Sequence, residues 1–178
     1  MGVYANYNAT PPGVVEAHRA DPVDLREKCE FGEVPALTFS LHKGWRLVWS
    51  VLEPEAFLAT PHPTDAPLGP ASPLGAAVVG AAPLNESFAS EQADRVGSLY
   101  HTRWNTPSEV GSAAAALASV SDADIASAYE SGAVSRAFSG FAGAGVAGPS
   151  VARSSVDALR EFYESARARE WAVVVMVG

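Results

Sequence analysis

Residues 171–177, WAVVVMV, contain no polar side chain. A β-strand points successive side chains to opposite faces, so a half-covered strand alternates apolar with polar residues. This stretch does not alternate. Its β-branched character and short length describe a strand buried on both faces, in the middle of a sheet. The chain must therefore supply a strand on each side of it and apolar cover above and below. Residues 2–8 supply one candidate, with Val3, Ala5 and Tyr7 alternating with Tyr4, Asn6 and Asn8. The two asparagines leave one face half polar, which is the character of an edge strand. Residues 99–104 supply the other.

The cover is expected to come from helices. In residues 41–52, LHKGWRLVWSVL, the side chains Leu41, Trp45, Val48, Trp49 and Leu52 fall on one stripe of a 3.6-residue period. Ser40 reads as its N-cap and Pro54 as its stop. Two of the four tryptophans lie on this face, so the segment reads as the central helix of one core. Local start and stop signals mark further helices. Thr10-Pro11 opens one reaching about Ala20, and Asp21-Pro22 opens residues 22–30. Ser72-Pro73 caps residues 73–79, which Gly80 closes. Thr106-Pro107-Ser108-Glu109 is a capping box opening residues 107–120, and Ser121 caps residues 122–130. Ser155 reads as the cap of residues 156–170, where Val156, Leu159, Phe162, Tyr163 and Ala166 form one face and Arg160–Glu164 an i,i+4 pair. Residues 60–73 hold five prolines and read as a loop, as do residues 81–94 and 139–150. The expected architecture is α+β: a single domain over residues 1–178, with a small, mostly three-stranded sheet packed with about six helices.

Length supports this. A chain of 178 residues buries roughly 70% of its unfolded surface and needs no disulfide or metal staple. Cys29 is the one cysteine, which excludes an internal disulfide and a thiolate zinc set and points to a reducing, cytoplasmic setting. The first ten residues lack the basic and apolar regions of a signal peptide, and no apolar run is long enough to span a bilayer. A net charge of −8 argues against a nucleic-acid or anionic-membrane surface and fits a basic protein partner.

Several segments in order, MGVYANY, LHKGWRLVWSVL, PLGAAVVGA, RWNTPSEV and LREFYESARAREWAVVVMV, resemble the YfbM-like family of small bacterial proteins, a domain of unknown function. The resemblance spans essentially the whole chain and implies an α+β fold but no reaction. The family usually carries an acidic residue before the lysine of the central helix and a histidine after its tryptophan; His42 and Arg46 stand there in this chain. Trp104 and Asn105 replace the family's Tyr-Leu before Thr-Pro. A polar site on the family's central helix would thus be altered here.

Motifs for chemistry are sparse. Gly143-Ala-Gly145-Val-Ala-Gly148 has the dinucleotide-loop spacing, but a Gly/Ala loop precedes it and no acidic residue ends a second strand about 20 positions on. His18, His42, His62 and His101 include no i,i+4 pair, no G-x-S-x-G occurs, and no metal or cofactor is expected. What remains is a polar-aromatic set: Lys43 and Arg46 on one helix face, Arg103 at a strand end beside a helix N-terminus, with Tyr4, His42 and Trp104. Two functions compete. One is a non-catalytic cytosolic protein binding a basic partner, in the manner of an immunity protein. The other is a small anionic-ligand-binding protein or enzyme using a cleft beside the 41–52 helix. The second requires Lys43, Arg46 and Arg103 to converge.

Overall fold

A computed structural model describes residues 4–42, 44–59, 72–84, 101–138 and 147–177. Five strands are present among these residues: β1 (Ala5–Thr10), β2 (Leu37–His42), β3 (Ala82–Pro83), β4 (His101–Asn105) and β5 (Ala172–Val177). They form one antiparallel sheet in the order β2-β1-β5-β4-β3. Nine helices are present among the described residues: α1 (Pro12–Ala17), α2 (Pro22–Glu30), α3 (Trp45–Leu52), α4 (Pro54–Ala59), α5 (Pro73–Val79), α6 (Pro107–Ser119), α7 (Asp122–Glu130), α8 (Ala133–Phe138) and α9 (Pro149–Arg167).

The apolar C-terminal strand is in the middle, as its composition requires. β5 pairs with β1 from Ala5↔Val177 to Thr10↔Ala172, and with β4 from His101↔Val177 to Asn105↔Val173. Val173, Val175 and Val177 face the larger core with Ala5, Tyr7, Ala9 and helices α3 to α9. Ala172, Val174 and Met176 face a smaller cluster built from Val15 of α1, Leu25 and Cys29 of α2, Leu84 and Trp104. Each face of β5 thus has its own cover, which removes its apolar surface from water on both sides.

The expectation of a three-stranded sheet is corrected by β2 and β3. Leu37, Phe39 and Leu41 pack toward the larger core while Thr38 and His42 are exposed, a period of two. Leu41 satisfies both that alternation and the helical stripe of Trp45 and Trp49, but it belongs to β2, and α3 begins at Trp45, four residues later than the helical period alone implies. His42 has φ of 46° and ends the strand; Gly44 precedes α3. Ser40 is accordingly no helix cap: its hydroxyl donates to the Ala5 carbonyl at 3.2 Å across the strand pair. β3 lies within the stretch read as irregular, and two residues carry no period.

β1 also differs from its edge-type reading. It lies between β2 and β5, and Asn8 is only 2% exposed because α2 covers the polar side of the strand. Pro54 does not simply stop α3; it begins α4. α9 starts at Pro149 rather than near Ser155, whose hydroxyl bonds back to the Val151 carbonyl at 2.9 Å inside the helix. Arg160 pairs with Asp157 and Glu164 with Arg167 in place of the expected Arg160–Glu164 pair. The capped starts at Asp21, Ser72, Thr106 and Ser121 are where the sequence puts them. The loop expected at 60–73 lies outside the described residues but for Ser72 and Pro73, and 139–146 lie outside them too.

α3 anchors the larger core. Trp45 and Trp49 are each 1% exposed and stack at 6.0 Å, and Trp49 meets the edge of Phe57 at 5.3 Å. Replacing Trp49 with alanine is expected to cost about 3–5 kcal/mol in chemical denaturation. A loss below about 1 kcal/mol, typical of surface sites, would contradict its place in the core.

Candidate functional site

The expected polar-aromatic set is distributed among separate environments. Lys43 lies outside the described residues. Tyr4 and His42 do come together: their rings meet edge-on at 6.2 Å where β1 and β2 begin and end. Both are exposed. His42 borders a groove of about 460 Å³ between β2 and the first turns of α9, with Ser40, Ser150, Val151, Ser154 and Ser155. Arg46, Arg103 and Trp104 are not among the residues lining this groove.

Arg46 is half-buried on α3, its guanidinium 5.9 Å from the centre of the Phe57 ring. Burial first, and then repulsion from Arg136, hold its pKa below the ordinary arginine value. Arg136 donates to the Leu58 carbonyl at the end of α4.

Arg103 is 6% exposed and serves the fold. Its Nε donates to the Gly80 carbonyl at 3.0 Å and its Nη2 to the Ala81 carbonyl at 2.7 Å. These bonds tie the end of α5 to β4, and burial lowers the Arg103 pKa. Gly80 has φ of 80°, and a Cβ there would sit 2.6 Å from the Arg103 Cβ, so the close approach requires glycine.

Trp104 is the next residue and points to the opposite face of the strand. It packs in the smaller cluster under the Arg19 guanidinium, 5.3 Å away. Arg19 in turn donates to the Leu84 carbonyl at 2.7 Å.

Asn105 completes the junction. Fully buried, it donates to the Ala76 carbonyl at 3.0 Å and to the Tyr163 hydroxyl at 2.8 Å, and accepts from the Ala81 amide at 2.8 Å. Tyr7 donates to the Val78 carbonyl at 2.8 Å. Burial raises the pKa of both tyrosines, so they stay neutral hydrogen-bonding groups rather than acids. The arrangement is a polar clamp with its groups paired inside the protein.

Sequence reasoning passed over the outer face of α2. Phe31, directly after the helix, is 76% exposed, and Val23 is 42% exposed. Glu27 and Glu30 lie on the same side by helical spacing. A cleft of about 220 Å³ opens beside it, lined by Asn6, Asn8, Glu30, Thr38 and Ser40 among others. The Asn8 Nδ2 is buried and without a hydrogen-bond partner among the described residues. The available signal was an aromatic set between Glu30 and Glu33 just before the helix-ending Gly32.

No group of three or more His, Cys, Asp or Glu among the described residues could hold a metal ion. No described helix is long and apolar enough to cross a membrane.

Among solved structures, the chain is similar to a protein of unknown function, YfbM from Escherichia coli, with a TM-score of 0.67. The likeness covers 98% of this chain and 99% of that one at 8% sequence identity. The fold is YfbM-like. At this identity the likeness is one of architecture. No protein-family model matches the chain, and no curated protein does.

Cys29 lies on the buried face of α2, and burial, followed by the Glu30 charge, pushes its thiol up to about 11. At pH 8 about one molecule in a thousand then carries the thiolate. Labelling by a disulfide-exchange reagent is expected to be slow in buffer and to accelerate across the unfolding transition. Rapid labelling of the native protein would contradict the burial.

Proposed function

We propose that this chain is a non-catalytic cytoplasmic protein that works by binding a basic protein partner, in the manner of an immunity protein that neutralises a toxin. The observation that carries the reading is the dispersal of its candidate chemistry. Arg103 bonds backbone carbonyls at the α5–β4 junction, Trp104 packs against Arg19 on the opposite face, and Arg46 lies over Phe57. A catalytic centre needs its acids, bases and anion-binding groups within reach of one reacting atom. A binding protein needs only a complementary surface, and a net charge of −8 favours encounter with a basic one. A single cysteine, buried and protonated, fits a reducing compartment.

The alternative is a small anionic ligand beside residues 41–52, and one observation favours it. Arg46 and Arg136 lie near enough to repel each other, and an anion between them would relieve that repulsion.

The test is purification of the tagged protein at its native level, with bound proteins identified by mass spectrometry and binding followed as salt is raised. A basic protein in stoichiometric amount is expected, with association slowing as salt screens the attraction. Recovery of acidic or neutral proteins alone, or saturable phosphate binding lost in Arg136→Gln, would overturn the reading.

A further inference from the structure

We infer that the docking face is the C-terminal end of α2 with the cleft beside it, and that its occupant is a basic, apolar-bearing segment of a partner polypeptide. This deepens the partner-binding reading and rests on it. Val23, Glu27, Glu30 and Phe31 stand at i, i+4, i+7 and i+8, so they form one stripe opposite the buried Leu25 and Cys29. Phe31 keeps helical backbone angles, φ −89° and ψ 0°, so the stripe continues through it. Its 76% exposure is the largest among the exposed large hydrophobic residues of the described chain. Leaving an aromatic ring in water forgoes burial that the core aromatics obtain, and exposed aromatics are the residue type that anchors interfaces.

Charge selects the occupant. Residues 21–33 carry five carboxylates, at 21, 24, 27, 30 and 33, against two cations, Arg26 and Lys28. The cations are already engaged: Arg26 with Glu30 at 3.7 Å, and Lys28 with Asp24 and Glu33, each at 3.5 Å. Glu27 has no ion-pair partner among the described residues. The negative end of the α2 dipole adds to this potential within its last turn. A second copy of this chain would bring like charge to like charge, and an anionic lipid or nucleic acid would be repelled. Lysine or arginine flanking an apolar side chain meets both demands, with the cation on Glu27 and the apolar group on Phe31 and Val23.

The cleft supplies the polar contact. At about 220 Å³ it has room for a short stretch of backbone but not for a folded element. Asn8, 2% exposed, borders it with an Nδ2 that lacks an acceptor. Buried donors in native proteins are nearly always paired. A main-chain carbonyl of the bound segment would complete it.

The test uses the full-length, isotope-labelled protein and a synthetic peptide of alternating lysine and leucine, followed by NMR titration. Saturable shifts are expected in residues 23–33 and in the Asn8 side-chain amide. Phe31→Ser should weaken binding about tenfold, with an unchanged thermal transition, because the ring is exposed. A glutamate–leucine peptide of the same length should not bind. Shifts centred on another face, with Phe31→Ser binding normally, would overturn the assignment of the face while leaving the partner-binding reading in place. No saturable binding by the lysine peptide anywhere would count against both. Concentration-dependent self-association abolished by Phe31→Ser would show the face to be a self-interface and overturn the assignment.

Discussion

The two-sided burial of β5 is the constraint on which the rest of the structure depends. A strand with Val173, Val174 and Val175 in succession exposes apolar surface whichever way it faces. It is stable only with hydrogen-bonded neighbours on both sides and a packed layer on each face. β1 and β4 are those neighbours, and the two hydrophobic clusters are those layers. The layers are unequal. Helices α3 to α9 cover one face deeply, while α1 and α2 cover the other with a smaller cluster. The thin side is where the polar face of β1 and β2 meets α2, and the cleft beside Glu30 lies there.

A second dependence follows from the first. α5 must lie against β4 and β5 to complete the larger core, yet its C-terminal carbonyls would then be shut away from water. Arg103 and Tyr7 satisfy the carbonyls of Gly80, Ala81 and Val78, and Asn105 adds a second bond to the Ala76 carbonyl, which already accepts from the Gly80 amide. Leaving such groups unpaired would cost about 1–3 kcal/mol each. These side chains look like chemistry in a sequence because they are polar and unusual in a strand. In the folded protein they let a helix end be buried.

That distinction decides how much could be read in advance. Helix starts with a side-chain cap and a proline or acidic residue in the first turn were legible because the signal is local, as at Asp21, Ser72, Thr106 and Ser121. β5 was legible because its composition allows one environment. β2 was not, since Leu41 satisfies two periods at once and the break at His42 is a backbone event. The start of α9 was hidden because Pro149 follows a glycine-alanine run that resembles loop. Of the proposed pocket, the pairing of Tyr4 with His42 emerged, whereas Arg103 and Trp104 were separated by the alternation of a single strand. Sequence neighbours on a strand are opposites in space, and that fact outweighs their chemical kinship. Phe31 was overlooked because exposure is a tertiary property that no pattern of residues 29–33 encodes.

In the proposed partner-binding reading, fold and function connect through α2. The helix buries Leu25 and Cys29 to seal the thin face of β5 and turns Val23, Glu27, Glu30 and Phe31 outward. The same element closes the core and presents the surface. The central claim, that β5 is the doubly covered centre on which everything else is assembled, is tested most directly by native-state amide hydrogen exchange. The amides of Val173 to Val175 are predicted to exchange only through global unfolding, with a free energy equal to that from denaturant titration. Exchange of those amides through local opening, at a free energy well below the global value, would contradict the account.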